Sequence, residues 1–158
     1  MYSMILRLVI SILVCQLAGF VGSIFTRTSV STWYAALNKP YFNPPNWIFS
    51  PVWITLYLLM GIAAFIVWNQ GLEKTEVRSA LIFFGIQLIL NAFWSAAFFG
   101  LRSPFAGLIV IVALWVFILL TILYFFRVSS PAGVLLLPYM GWVSFAAVLN
   151  FSLWRLNS

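Results

Sequence analysis

The side chains able to do chemistry in this sequence are few. There is no His, a single Cys (Cys15), and two acidic residues, Glu73 and Glu76. A structural zinc site takes about four Cys or His ligands, so one chain cannot build it and no metal site is expected. Nucleophilic arrangements that need His are excluded, as is His-ligated haem. Glu73 and Glu76 sit together in a polar stretch and form the sole carboxylate pair. What remains is aromatic: 8 Trp, 6 Tyr and 16 Phe. Indole rings stack on flat apolar ligands and each carries one N–H donor.

Some of these rings are spaced together with amides. Gln87, Asn91, Trp94, Ser95 and Phe98 recur at the spacing of one helical face. Pro138, Trp142, Phe145, Ala146, Leu149 and Asn150 form a second such row, and Trp53, Tyr57 and Met60 a third. In lipid, polar side chains turn toward the protein interior, because hydrocarbon offers them no partner. The three rows therefore predict an inward surface of indoles, amides and small residues. It suits a flat hydrophobic ligand with a few polar anchors. Hydrogen bonding between helices is the plainer use of the same residues.

The elements that must position these rows follow from the charges. Hydrophobic residues make up 65% of the 158-residue chain and charged ones 6%, far from the composition of a soluble domain. The ten charges interrupt five uncharged stretches: Leu8–Thr26, Pro40–Leu72, Ser79–Leu101, Ser103–Phe126 and Val128–Trp154. A helix of about 20 residues crosses the hydrocarbon core. A charge at its centre costs about 2.5–3.5 kcal/mol on insertion scales. The expected fold is an all-α integral membrane protein, one domain over 1–158, with spans near 5–25, 46–69, 78–100, 104–126 and 131–154. The first span is read as a retained helix rather than a signal peptide.

Ser50-Pro51, Ser103-Pro104 and Ser130-Pro131 each offer a capping hydroxyl followed by a proline suited to a first helical turn. Asn46, after Pro44-Pro45, is a competing start for the second span. Residues 26–45, with three prolines and four aromatics, predict a folded lid over one end of the bundle. Trp33, Trp47, Trp68 and Trp154 fall near span ends, as in an interfacial belt. Trp53, Trp94, Trp115 and Trp142 lie deeper. The eight basic residues divide four to four between the two sides, so charge sets no orientation. They are scattered singly, which argues against a nucleic-acid partner. The spans hold no ionisable relay, so any transport would be passive. Ala18 with Gly22, Gly19 with Ser23, Ala92 with Ala96, and Ala96 with Gly100 are small-residue pairs that allow close helix contact, within the bundle or in a homodimer.

Trp33-Tyr34-Ala35-Ala36-Leu37-Asn38-Lys39-Pro40, Asn43-Pro44-Pro45-Asn46-Trp47 and Trp53 resemble the translocator protein family, also called tryptophan-rich sensory protein or peripheral-type benzodiazepine receptor. Gln87 through Trp94 with Phe98-Phe99-Gly100, and Leu137-Pro138-Tyr139 through Trp142 to Asn150, Trp154 and Arg155, extend the resemblance over nearly the whole chain. It implies a five-helix bundle, commonly a homodimer, with a cavity under the first loop. It implies binding of porphyrins such as protoporphyrin IX, of sterols, and of synthetic benzodiazepine-site ligands.

The resemblance places Tyr34, Pro44, Trp53, Asn91, Trp94, Trp142 and Ala146 around the ligand, with Ala146 important for being small. Porphyrin is then a ligand or substrate, and no cofactor is expected. Three roles stay open: a porphyrin sensor or passive carrier, a light-dependent porphyrin degrader using Trp53 and Trp142, or a sterol- or lipid-binding structural protein. The sterol-motif region holds Leu149, Phe151 and Arg155, with Phe where the motif has Tyr, so sterol binding is doubted. Gly85 keeps half of the family's glycine seam, with Leu81 in the other place. The short lead before the first span makes a bacterial cell membrane the expected location.

Overall fold

A computed structural model describes residues 1–158. It contains helices α1 (Tyr2–Ser29), α2 (Asn46–Trp68), α3 (Thr75–Ser95), α4 (Pro104–Val128), α5 (Ser130–Leu135) and α6 (Leu137–Leu156). A π-helical turn over Ala96–Gly100 continues α3, and a 3₁₀ turn spans Tyr34–Ala36. Five helical segments are long and apolar enough to cross a membrane, with α5 and α6 forming one of them.

Several boundaries differ from the sequence expectation, each for a local reason. The first helix runs on to Ser29, because Thr26 and Thr28 return their hydroxyls to the carbonyls of Gly22 and Phe25 and no proline intervenes before Pro40. The second starts at Asn46, after Pro45, as its expected span of 46–69 has it, and the alternative start Ser50-Pro51 lies inside it. Ser103 caps α4 as expected, its Oγ accepting from the Ala106 N–H at 3.1 Å. The pair Ser130-Pro131 does not cap: Ser129 occupies the N-cap and Ser130 is already helical. The fifth span is broken after Leu135, where Pro138 lacks an N–H for the carbonyl one turn back.

The spans close into a ring. α1 packs on α2 and α3, α4 packs on α3 and α6, and α2 packs on α5. The main core lies at the end where α5 meets α2 and α4, around Met60, Val67, Ile118, Phe125, Leu136 and Tyr139. A second, smaller core under the first loop gathers Tyr34, Phe98, Phe99, Leu149 and Leu153. The π turn presents consecutive Phe98 and Phe99 to it, and the Ser29 hydroxyl donates to the Phe99 carbonyl at 2.7 Å.

Glycine sets the closest helix approach. A Cβ built on Gly61 would stand 2.7 Å from the Ile12 Cα, so α2 presses directly on the α1 backbone. At Gly85 the same atom would meet nothing within 4 Å. Gly61→Ala is therefore expected to lower stability by about 1–3 kcal/mol, because the conflict is with backbone. Gly85→Ala is expected to leave it unchanged or raise it slightly. Thermal unfolding of the two variants in detergent checks the contrast; equal melting temperatures would contradict the α1–α2 contact.

Candidate functional site: a tryptophan-walled cavity

The sides of α1, α2, α3 and α6 facing the bundle axis stand apart beneath the first loop and leave a cavity of about 590 Å³. No residue of α4 reaches it. Trp53 and Tyr57 come from α2, Asn91 and Trp94 from α3, Trp142, Ala146 and Leu149 from α6, and Tyr34 from the loop.

The rings are held in fixed attitudes. Trp53 stacks on Tyr57 with ring centres 5.6 Å apart and meets Tyr139 edge-on at 6.4 Å. Trp94 stacks on Phe98 at 5.2 Å, and its indole N–H donates to Asn150 Oδ1 at 2.9 Å. Asn150 in turn donates to the Pro104 carbonyl at 2.7 Å, in the first turn of α4. Trp142 lies between Phe49 and Phe145, with ring centres 5.9 and 5.5 Å away. Its indole nitrogen is buried and has no hydrogen-bond partner.

Below Trp53 the floor is a chain of buried polar groups. The Tyr57 hydroxyl donates to Asn91 Oδ1. Asn91 Nδ2 donates to the Tyr139 hydroxyl at 2.7 Å, and that hydroxyl donates to Gln87 Oε1 at 2.7 Å. Gln87 Nε2 points at the Met60 sulfur, 3.9 Å away. Each of the four side chains has a partner, and the bonds run in one direction, which ties α2, α3 and α6 together at membrane depth.

The loop is anchored at both ends of its span. Tyr34 is buried against Phe98 and Phe99, and its hydroxyl donates to Asn43 Oδ1 at 3.1 Å. Burial raises the Tyr34 pKa above its usual value of 10.0, and the Asn43 bond only partly offsets this. The Lys39 ammonium lies 4.9 Å from the Tyr34 ring centre and donates to the Ala35 and Leu37 carbonyls. Asn38 and Asn157 exchange hydrogen bonds of 2.9 Å, clasping the loop to the end of α6.

Of the residues anticipated for the ligand, Tyr34, Trp53, Asn91, Trp94, Trp142 and Ala146 line the cavity. Pro44 does not. Its carbonyl accepts from Asn43 Nδ2 at 3.3 Å, and it serves the lid's path into α2. In the sterol-motif region only Leu149 faces the cavity; Phe151 and Arg155 are exposed on other sides of α6. Gln87, at the far end of the floor chain, and Met60 are buried without lining the cavity, and Trp115 bonds Ser144 at 2.9 Å away from it.

The α1 wall was missed by sequence reasoning. Gln16, Gly19, Ser23 and Arg27 line it, and a Cβ on Gly19 would overlap the Tyr57 ring at 2.5 Å. The small residues at 18, 19, 22 and 23 carried a signal of close approach, but not of what they approach.

A family model describing the TspO/MBR family matches residues 11–155. The chain belongs to this family. It is 51% identical to the tryptophan-rich protein TspO of Chlorobaculum tepidum over 99% of both chains. It is 49% identical to the protein of that name from Archaeoglobus fulgidus, over 98% of this chain and 99% of the relative. The human translocator protein is 37% identical over 90% of this chain and 85% of its own. Family membership and the five spans make this a multi-pass membrane protein, and the two prokaryotic relatives support a prokaryotic membrane.

The floor chain predicts a stability effect separate from any ligand. Asn91→Ala strands the Tyr57 hydroxyl in the interior and is expected to cost about 1–3 kcal/mol. Trp142→Phe deletes a donor that has no partner and is expected to cost less. Chemical unfolding of both variants in detergent checks this; a larger loss for Trp142→Phe would contradict the polar floor.

Proposed function

We propose that the cavity receives a flat, mostly apolar ring system, a porphyrin such as protoporphyrin IX, and that the protein acts as its membrane sensor or passive carrier. The observation that carries this reading is the placement of Trp53, Trp94 and Trp142 on the wall of one cavity. Their faces supply stacking surface, and the Trp142 N–H is a donor not used within the protein. Synthetic benzodiazepine-site ligands, smaller aromatic molecules, are a further class that such a chamber could hold. The names of two relatives, translocator protein and tryptophan-rich sensory protein, accord with either carrying or sensing. No Asp or Glu lies within a membrane-spanning helix except Glu76, at the first turn of α3, so an ion-coupled cycle has no relay to use. A homodimer through α3 belongs to this proposal, since Gly85 leaves space on its outer face beside exposed Ile82 and Ile89.

A second reading, light-dependent porphyrin degradation, is favoured by one arrangement. Trp53 lies at the wall in stacking contact with Tyr57 and edge contact with Tyr139. An indole oxidised by an excited ring would have phenols beside it. Sterol binding is the weakest reading, because Phe151 and Arg155 do not share the cavity with Leu149.

Titration of protoporphyrin IX in the dark, read by tryptophan quenching, tests the site. Ala146→Leu adds bulk at the wall and is expected to weaken binding about tenfold or more. Unchanged affinity in a folded variant would place the ligand elsewhere. Under illumination, Trp142→Phe separates the roles. Loss of porphyrin bleaching with retained binding supports degradation, whereas no bleaching by the unmodified protein supports sensing or carriage.

A further inference from the structure

The cavity is not sealed between α1 and α2. Phe20, Asn46, Ser50 and Ile54 line it and are also exposed, so the second half of α1 and the first half of α2 frame a mouth. Its inner limit is a bridge in which Gln16 Nε2 donates to the Ile54 carbonyl at 3.2 Å. On the outer rim, in the last turn of α1, stands Arg27.

Arg27 is the single charged side chain on the cavity wall, and it has no hydrogen bond or ion pair within the protein. Most of the other cations are committed. Arg7 bonds Asn69 and lies over Trp68, Lys39 bonds two carbonyls, and Arg78 bonds Leu72, Glu73 and Thr75. Arg102 bonds Ser29, and Arg127 covers Tyr124. Neither Glu73 nor Glu76 can reach Arg27, because they lie at the turn into α3 and its first residues, at the other end of the bundle.

A guanidinium matches a carboxylate with two parallel hydrogen bonds. Beside a low-dielectric aromatic chamber the attraction is stronger than in open water. Resting on the reading of the cavity as the ligand site, we propose that Arg27 is a carboxylate anchor at the α1–α2 mouth. The chamber then selects flat apolar molecules that carry an acid group on one edge. The ring enters among Trp53, Trp94 and Trp142, and the acid stays at the rim. Uncommitted Asn46 and Ser50 flank the same opening. A lipid phosphate is the other anion that chemistry of this kind could hold.

The test compares protoporphyrin IX with its dimethyl ester, which keeps the ring and removes the charges. Both are titrated in the dark against the full chain, Arg27→Gln and Arg27→Lys in a neutral maltoside detergent, with and without added phosphatidylglycerol. The unmodified chain is expected to prefer the free acid about tenfold, and Arg27→Gln to abolish that preference by weakening the acid alone. Arg27→Lys is expected to restore part of it. Equal weakening of acid and ester in Arg27→Gln, or of neither, overturns the anchor while leaving the cavity reading intact. If Arg27→Gln changes only phosphatidylglycerol retention, the anion is a lipid headgroup and the anchor is overturned. If neither porphyrin saturates the unmodified chain, the cavity reading falls and the anchor with it.

Discussion

Hydrocarbon cannot hydrogen-bond, and that single constraint organises the molecule. Each polar group carried into the membrane must find its partner within the protein. The chain from Tyr57 through Asn91 and Tyr139 to Gln87 meets the demand for three helices at once. Trp94 meets it through Asn150, which also donates to the Pro104 carbonyl in the first turn of α4. Trp115 meets it through Ser144. Against this background the unpaired Trp142 nitrogen stands out as the one buried side-chain polar atom without a partner.

A bundle that satisfies its own polar groups would be expected to close completely. Here closure is limited to the end where α5 meets α2 and α4. Gly61 lets α2 lie on the backbone of α1, and the main core fills that end. Toward the other end the fifth span restarts at Leu137 after its break, and α3 finishes in a π turn. Large rings then line the space between helices instead of filling it. The first loop closes over this space through Tyr34 and is fastened by the Asn38–Asn157 pair. The cavity is thus a product of rigid neighbours on three sides, with the α1–α2 side left open.

The spans were legible because charge in a bilayer is costly enough to dictate position. The inward rows on α2, α3 and α6 were legible because amides and indoles at helical spacing share one face. Their depth was harder to read: Gln87 and Met60 belong to the same rows as Asn91 and Tyr57 yet lie below the cavity, in the packed core. Ser50-Pro51 was a second candidate start, but Pro45 sets the start at Asn46, the bound given to this span, and Pro51 falls more than a turn inside α2. Pro44 was assigned by resemblance, and it is not among the residues that line the cavity. The α1 wall was hidden because glycine and serine reveal close approach without naming the partner. Arg27 looked like a boundary charge, and only the fold shows that its boundary is the rim of a chamber.

The central claim is that the space between Trp53, Trp94 and Trp142 is where a flat ring binds. A crystal structure of the chain with protoporphyrin IX tests it most directly. The account predicts ring density among those three indoles, beneath Tyr34 and beside Ala146. Density on the lipid-facing surface of the bundle, with the cavity unchanged, would contradict it.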